Sequence, residues 1–288
     1  MATQLAPENV VGRDRLIAHI WRVLERDSAL FTAERRIGKT TVMKKMQAEA
    51  PDGLTVRYLD LEKIDSPHRF VEVLLGEVRD LLSKKERTKD LLTKLPALFG
   101  GTEVGGVIKL PSHSRAEWWQ PALEKAFACI CEHSPTATLV LLFDELPYML
   151  QKIAVGDGDR NGSAAALAIL DTLRAVRHEH SNLRMVFSGS IGLHHVINTL
   201  RDAGCASQPT NDMETIEIGP LDLPDAKELA RRLLTNAEVE CDSVDEVAAE
   251  LAKLADRVPF YIERVVMRLA LEAPPALRLL SNVKSGPT

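Results

Sequence analysis

The feature that most constrains the fold is a short loop sequence between an apolar run and a stretch that favours a helix. Residues 33 to 41 read Ala-Glu-Arg-Arg-Ile-Gly-Lys-Thr-Thr. Their order matches the strand, loop and helix of a phosphate-binding loop, or P-loop, whose pattern is G-x-x-x-x-G-K-[ST]. Ala33 stands where that pattern begins with glycine, and alanine tolerates most of what this corner requires except a positive φ. The pattern indicates a site for the phosphates of a nucleotide.

Three residues of this loop have a specific expected role. Gly38 lets the backbone turn so that successive N–H groups point inward and, with the positive end of the following helix, form an anion site. Lys39 is predicted to reach the β- and γ-phosphates, and the Thr40 hydroxyl is predicted to ligate Mg²⁺. The predicted nucleotide-binding residues of the loop are Ala33, Arg36, Ile37, Gly38, Lys39, Thr40 and Thr41.

A second motif lies about a hundred residues further on. Five consecutive apolar residues at 139–143 precede Asp144 and Glu145. An uninterrupted apolar run indicates a strand buried on both faces, as in a parallel sheet covered by helices. A carboxylate at the end of such a strand falls where open α/β sheets bind ligands. We expect Asp144 to hold Mg²⁺ through water and Glu145 to orient and deprotonate the attacking water. The alternative is that both residues cap the next helix.

Composition restricts the cellular compartment and the kinds of partner that the chain is expected to have. The chain has 288 residues, a 45% apolar fraction and a net charge of −5, so it has no global attraction to nucleic acid, although a local basic patch is compatible with it. No apolar run approaches the ~20 residues of a membrane span. The N-terminus lacks the pattern of a signal peptide, which predicts a cytoplasmic protein without membrane contact. The four cysteines lack metal-binding spacing and are predicted to be reduced thiols.

Periodicity places the remaining elements and suggests a boundary near residue 220. Strands are predicted at 29–33, 55–61, 138–144, 183–189 and 211–218, and helices at 16–24, 40–50, 67–82, 116–131 and 164–178. Residues 83–115 form an irregular insertion, with a charged stretch at 83–90 and a hairpin that has 107–110 as one arm. A flexible loop is predicted at 156–162. Beyond residue 220 only helices are predicted, at 225–234, 243–254 and 259–271. We therefore expect a core at 1–220 with a loose start at 1–8, a helical lid at 221–272 and a tail at 273–288.

Four places in the chain resemble the P-loop ATPases of the AAA+ and STAND group, and among them most closely the archaeal-type ATPase family, which also occurs in bacteria. Val10–Asp14 resembles their N-terminal "GRE" box, and Arg35–Thr40 resembles their "RRxGKT" loop. Leu142–Tyr148 resembles their Walker B strand and the residues after it. Val258–Ile262 resembles the "GxPxYI" turn of the lid, except that Arg257 stands where glycine is usual. The likeness covers roughly residues 9 to 270.

The resemblance implies an α/β fold: a five-stranded parallel P-loop core followed by a small all-helical lid. It implies that Gly12 and Arg13 pack beside the adenine of ATP and that Pro259 approaches the nucleotide. It also implies that Ser188 and Ser190 form a polar sensor of the γ-phosphate, although a tight strand-to-helix turn would explain the same sequence.

The resemblance leaves the output of the chain open between three functions. Its leading implication is a switch that binds and hydrolyses ATP with Mg²⁺ and signals to a partner protein or through self-assembly. The second is a nucleotide-locked interaction module with little turnover, in signalling or defence. The third is a DNA-associated AAA+ regulator, which the acidic balance and the missing winged helix disfavour. Arg201, Arg257 and Arg264 are alternative candidates for an arginine finger.

Overall fold

The computed structural model describes residues 10–83, 102–104, 107–109, 119–132, 138–156, 160–202 and 208–271. The predicted N-terminal start at 1–8 and the tail at 273–288 lie outside the described residues, as do Cys205 and residues 84–90 of the charged stretch. None of the described helices is long and apolar enough to cross a membrane.

Seven strands and ten helices are described in these ranges. The strands are β1 Ser28–Thr32, β2 Leu54–Asp60, β3 Thr102–Val104, β4 Val107–Lys109, β5 Thr138–Asp144, β6 Leu183–Phe187 and β7 Met213–Glu217. The helices are α1 Asp14–Leu24, α2 Lys39–Ala48, α3 Pro67–Ser83, α4 Trp119–Glu132, α5 Leu146–Gly156, α6 Arg160–Glu179, α7 Leu193–Asp202, α8 Leu223–Asn236, α9 Val244–Leu254 and α10 Pro259–Leu271.

Five of the strands form one parallel sheet in the order β2-β5-β6-β1-β7. The register of β2 against β5 pairs Asp60 with Asp144, so these two strands end at the same level. The side chains of β5 are buried from Leu139 onward because the strand is covered on both faces. At its end, the Phe143 ring lies 6.0 Å from the Phe70 ring and 5.9 Å from the Phe187 ring, measured between centroids. The remaining strands, β3 and β4, form the predicted antiparallel hairpin.

The chain folds as two compact units, each assembled from separate stretches of sequence. One unit contains the described residues of 22–32 and 46–216, and its apolar core joins the sheet to helices including α3, α4, α5 and α6. The other contains the described residues of 1–21, 33–45 and 217–288. Its core is formed by apolar side chains of α8, α9 and α10, with Val11 packed against them. The division of the sequence at residue 220 into core and lid remains a prediction.

The predicted fold class is confirmed, and the main differences lie between β5 and β6. Helix α5 was not predicted, although Leu146, Met149, Leu150 and Ile153 are buried at helical spacing. Helix α6 begins at Arg160, so the end of the predicted flexible loop is helical. Gly162 is needed there because a Cβ would lie 2.6 Å from the Ile153 carbonyl oxygen. A glycine that suggests a loop from sequence therefore permits close packing of two helices.

Candidate functional site

The loop at 33–38 leaves the end of β1 and leads directly into α2. Its backbone alternates, because φ is +68° at Arg36 and +100° at Gly38, whereas Ile37 between them is not in the left-handed region. This alternation is the backbone geometry of an anion-binding nest, in which successive N–H groups point into one concavity. The position of a Cβ on Gly38 is open, with its closest neighbour, Thr41 Cβ, 4.0 Å away. Ala33 does not have a positive φ, so the missing first glycine causes no backbone strain here.

Lys39 is the first residue of α2 and is buried, with 8% of its surface exposed. Its Nζ donates hydrogen bonds to the carbonyl oxygens of Ala33, at 3.2 Å, and Glu34, at 3.0 Å. Both acceptors belong to the loop, so the ammonium group folds back across it. A neutral carbonyl orients an ammonium group without cancelling its charge, which an anion would attract more strongly.

Arg13, which lies before α1, also contacts the loop. Its Nη2 donates to the Ile37 carbonyl oxygen and its Nη1 to that of Gly219, each at 2.9 Å. Burial lowers the pKa of Arg13, while the charges of Asp222 and Asp225 act in the opposite direction. Arg13 therefore supports the backbone of the loop, whereas its predicted contact with adenine remains a prediction.

Neighbouring Gly12 is confined by the same unit. It has a φ of +71°, and a Cβ at this position would lie 2.4 Å from Asp225 Cβ. Only glycine fits this backbone conformation and this close approach without strain. The segment before α1 is thus packed against Asp225, and Arg13 in this segment donates to the loop backbone.

Aromatic residues at the start of α10 lie against the loop. The Arg36 guanidinium carbon is 4.6 Å from the Phe260 ring centroid and 6.0 Å from that of Tyr261. Arg264 lies over the Phe260 ring as well, at 5.2 Å. Each cation–π contact at an exposed site stabilises by about 0.5–1 kcal/mol. Pro259, the predicted nucleotide-approaching residue, starts this helix and so places Phe260 next to the loop.

The turn before α10 explains the departure from the family pattern. Arg257 has a φ of +60°, and its N–H donates to the Ala252 carbonyl oxygen to close the end of α9. Its own carbonyl oxygen accepts from the Leu221 N–H. A left-handed residue at a helix C-terminus is usually glycine because a Cβ is strained there. Arg257 adopts the conformation that glycine would provide.

In the other unit, Asp144 ends β5 and only 3% of its surface is exposed. Its Oδ2 accepts a hydrogen bond from the Tyr58 hydroxyl at 3.0 Å, and its Oδ1 accepts one from the Glu145 N–H at 3.1 Å. Burial, followed by the nearby charge of Asp144, raises the pKa of Tyr58 well above its usual range, so its hydroxyl stays protonated and remains a donor.

Glu145 follows with a φ of +57° and turns its carboxylate toward the segment after β6. Its Oε2 accepts hydrogen bonds from the Ser190 N–H, at 3.0 Å, and from the Ser190 hydroxyl, at 2.8 Å. Both of these donors come from Ser190, and the predicted alternative, that Asp144 and Glu145 cap the next helix, stays untested.

Ser188 lies in the segment after β6, two residues before Ser190. Its hydroxyl is buried and has no hydrogen-bond partner among the described residues. The backbone is fixed, since the Leu146 N–H donates to the Ser188 carbonyl oxygen at 3.1 Å. Gly189 allows this approach, because a Cβ there would lie 2.6 Å from Pro147 Cδ. These contacts fix the backbone here, and both the sensor role and the alternative of a tight turn at 188–190 stay predictions.

The predicted site residues fall into two groups, one in each unit. One unit holds the loop at 33–41 together with Gly12, Arg13 and Pro259, and the other holds Asp144, Glu145, Ser188 and Ser190. Arg201 lies in α7. In the described part of the chain, no cluster of three or more histidines, cysteines and carboxylates is arranged to hold a metal ion. The three described cysteines are free thiols, and burial raises the pKa of Cys131 to about 12.

The sequence did not identify two residues that contact the predicted site residues, one in each unit. Tyr58 lies in the predicted second strand, three residues before its end, but nothing in the sequence shows that this strand pairs with β5. Phe260 belongs to the quoted lid motif, yet its contact with Arg36 joins residues that are more than two hundred positions apart. The part of this contact that the sequence does contain is a polar residue near the carboxyl end of a predicted strand.

Comparisons with known proteins give the fold. No family model and no curated protein matches the sequence. Among solved structures, the Walker-type ATPase PABY2304 of Pyrococcus abyssi aligns with a TM-score of 0.56 and 17% identity, over 96% of this chain and 76% of that one. The RuvB Holliday junction branch migration motor of Thermotoga maritima aligns with a TM-score of 0.44 and 14% identity, over 95% of this chain and 64% of that one. The similarity to the Pyrococcus protein shows that the chain has the fold of a P-loop ATPase.

Proposed function

We propose that the chain binds ATP with Mg²⁺ and hydrolyses it, and that it acts as a molecular switch of the AAA+/STAND kind, related to the archaeal-type ATPases. The observation that carries the proposal is the loop backbone, with positive φ at Arg36 and Gly38 and with α2 beginning directly after it. N–H groups arranged in this way at the N-terminal end of a helix bind anionic oxygens, and phosphate most commonly.

Lys39 would contact the β- and γ-phosphates of the bound nucleotide. To do so, its Nζ would exchange the carbonyl oxygens of Ala33 and Glu34 for phosphate oxygens. The exchange is favourable because a charge-assisted hydrogen bond to an anion is roughly twice as strong as one to a neutral acceptor. The N–H groups of residues 36–41 would contact the remaining phosphate oxygens.

Thr40 and Asp144 would hold Mg²⁺. A hydroxyl and a carboxylate are hard oxygen donors, which is the ligand type that this ion prefers, so the donor set fits it. When bound, the ion would neutralise charge on the β- and γ-phosphates. The hydrogen bonds that Tyr58 and the Glu145 N–H donate would fix the orientation of the Asp144 carboxylate.

Glu145 would orient the attacking water and accept its proton, which makes it the general base. The two hydrogen bonds from Ser190 hold one oxygen of this carboxylate in place and leave the other oxygen to face the water. The Ser188 hydroxyl, buried without a partner among the described residues, would donate to the γ-phosphate or to the water.

The helices after residue 220 would form a lid that follows the nucleotide and passes its state to a partner protein or to another copy of the chain. Support for the first step is the stacking of Arg36 on Phe260, which connects the loop to α10. Support for the second is the exposed apolar surface of the same helices. All exposed large apolar side chains among the described residues except Val155 lie between Leu223 and Leu271.

Phosphate release tests the enzymatic part of the proposal. Wild-type protein is incubated with Mg-ATP, and Glu145→Gln and Glu179→Gln are measured beside it. Glu179 is an exposed carboxylate at the end of α6 and serves as the matched control. We expect Glu145→Gln to lower the rate by about 10²- to 10⁴-fold, the usual contribution of a general base, and Glu179→Gln to leave it unchanged. Equal rates in all three proteins would contradict the role of Glu145.

A second candidate is a nucleotide-locked interaction module with little turnover. The observation that favours it is the engagement of Glu145 Oε2 by both donors of Ser190. If that arrangement persists with nucleotide bound, Glu145 is not free to reorient toward water. Steady-state turnover distinguishes the two functions: the lock predicts tight ATP binding without phosphate release, in the isolated chain and with a partner alike.

A further inference from the structure

Tyr58 and Asp144 are brought together by the pairing of two neighbouring strands. In the register of β2 and β5, Tyr58 lies opposite Leu142 and Asp60 lies opposite Asp144. Side chains alternate along a strand, so Tyr58 shares a face with the residue two positions beyond its direct partner, which is Asp144. Neighbouring strands lie about 4.8 Å apart and a parallel strand rises about 3.3 Å per residue, so such diagonal neighbours are about 8 Å apart at Cα, a distance that an aromatic side chain spans. The hydroxyl reaches Asp144 Oδ2 at 3.0 Å.

The two oxygens of this carboxylate are held by donors of different origin. Oδ1 accepts the backbone N–H of Glu145, and Oδ2 accepts the hydroxyl of Tyr58. Rotation of the carboxylate about its last torsion would weaken both hydrogen bonds. With only 3% of the residue exposed, water has little access to replace a lost donor. Tyr58 therefore contributes a contact that sets the plane of the carboxylate.

The chemistry of the donor suits a carboxylate that is to bind a cation. A hydroxyl is neutral, so it orients the charge of Asp144 without cancelling it, whereas a lysine or arginine at this place would compete with a metal ion. A carboxylate has about four lone-pair directions, so it can accept these two hydrogen bonds and still bind a hydrated ion. Phenylalanine would fill the same volume without the donor.

We propose that Tyr58 is a positioning residue that holds the Asp144 carboxylate in the orientation required to bind the Mg²⁺ that accompanies the nucleotide. This inference rests on the proposed function. Tyr58 contacts neither the nucleotide nor the ion; it acts through Asp144. Its loss affects the part of nucleotide affinity that depends on Mg²⁺ and leaves the part that comes from the loop.

The experiment is a titration of wild type, Tyr58→Phe and Tyr148→Phe with a fluorescent ATP analogue, in EDTA and over a series of Mg²⁺ concentrations. Tyr148→Phe removes the same hydroxyl from α5 in the same unit and is the matched control. We expect the Mg²⁺ concentration for half-maximal enhancement to rise about 2- to 10-fold in Tyr58→Phe, the range of one net hydrogen bond, and not in Tyr148→Phe. Affinity in EDTA should be the same in all three.

Each other outcome contradicts a defined claim. If wild type responds to Mg²⁺ and Tyr58→Phe responds equally, the positioning role is wrong and the proposed function stands. If Tyr58→Phe also loses affinity in EDTA, its role is structural and the inference is overturned. If wild type shows no nucleotide binding, the proposed function itself fails, and the inference with it.

A double-variant cycle separates action through Asp144 from any other effect. Asp144→Asn should raise the half-maximal Mg²⁺ concentration further than Tyr58→Phe does. Adding Tyr58→Phe to Asp144→Asn should then cause no additional change, because the group that Tyr58 positions is already altered. Additive changes in the double variant would overturn the inference.

Discussion

The loop at 33–41 and the strand-end group of Tyr58, Asp144, Glu145 and Ser190 solve opposite electrostatic problems in the same way. In the loop, cationic side chains donate to neutral backbone carbonyl oxygens, as Lys39 does to Ala33 and Glu34. In the strand-end group, carboxylates accept from neutral hydroxyl and N–H groups. A neutral partner orients a charge without cancelling it. These contacts orient a cation in the first region and carboxylates in the second.

The two regions also differ in where their support comes from. Support for the loop comes from Arg13, which also donates to the distant Gly219, and from Phe260, far along the sequence. The strand-end group is supported by strand pairing and by backbone hydrogen bonds of Ser188 with Phe143 and Leu146. We therefore expect substitution of the residues that support the loop to lower the free energy of unfolding. Substitution of residues in the strand-end group should alter turnover while that free energy stays nearly constant.

The largest expected effect on stability is that of Arg13→Ala. It leaves the carbonyl oxygens of Ile37, in a buried place, and of Gly219, in a partly buried one, without this donor, and a buried unsatisfied group costs about 1–3 kcal/mol. We expect a loss of about 3 kcal/mol in the free energy of unfolding, measured with urea. Arg15→Ala, in the next turn at an exposed position, should change it by less than about 0.5 kcal/mol. Similar free energies of unfolding for both variants would contradict the claim that Arg13 stabilises the loop.

An intermediate effect, on rate alone, is expected for Ser190→Ala. The variant removes the hydroxyl that donates to Glu145 Oε2 and keeps the N–H that donates to the same oxygen. One net hydrogen bond corresponds to about 1 kcal/mol, so phosphate release should fall about 3- to 10-fold while ATP affinity stays constant. Thr199→Ala, which removes an exposed hydroxyl from α7, is the control. A rise in rate would instead favour the nucleotide-locked module, in which Ser190 restrains the base.

The smallest effect is expected for Arg257→Gly. Glycine adopts the left-handed conformation at φ +60° without the strain of a Cβ, but it loses more backbone entropy on folding. The balance favours a gain of about 0.5 kcal/mol in the free energy of unfolding. Glu250→Gly, inside α9, should lose about 1 kcal/mol because its backbone is helical. Equal losses in both variants would show that Arg257 carries no strain.

The sequence was informative at two places where a local pattern determines the structure. The apolar run before Asp144 predicted a strand buried on both faces, and the loop from Ala33 to Thr41 predicted a strand, turn and helix. Both are local, since hydrophobic period and glycine position are read within ten residues. Helix α5 was missed although its apolar spacing is regular, and Gly162 suggested a loop where it allows helix packing.

Contacts between distant residues could not be predicted in the same way. The hydrogen bond from Tyr58 to Asp144 depends on the strand order, which no local pattern contains. The hydrogen bond from Arg13 to the Gly219 carbonyl oxygen joins residues that are 206 positions apart. Resemblance to a family predicted that Arg13 belongs near the nucleotide, but not that its guanidinium holds the loop backbone.

Calorimetric titration of ATP with Mg²⁺ into wild type, Lys39→Ala and Glu145→Gln tests the central claim most directly. The account predicts that wild type and Glu145→Gln bind one nucleotide per chain with affinities within about twofold, because Glu145 acts on water. It predicts that Lys39→Ala weakens binding by about 100-fold or more, equivalent to about 2.7 kcal/mol, because a buried cation at the phosphates is lost. Lys44→Ala, on the same helix, should bind as wild type does. An equal loss of binding in Lys39→Ala and Glu145→Gln, or no binding by wild type, would contradict the account.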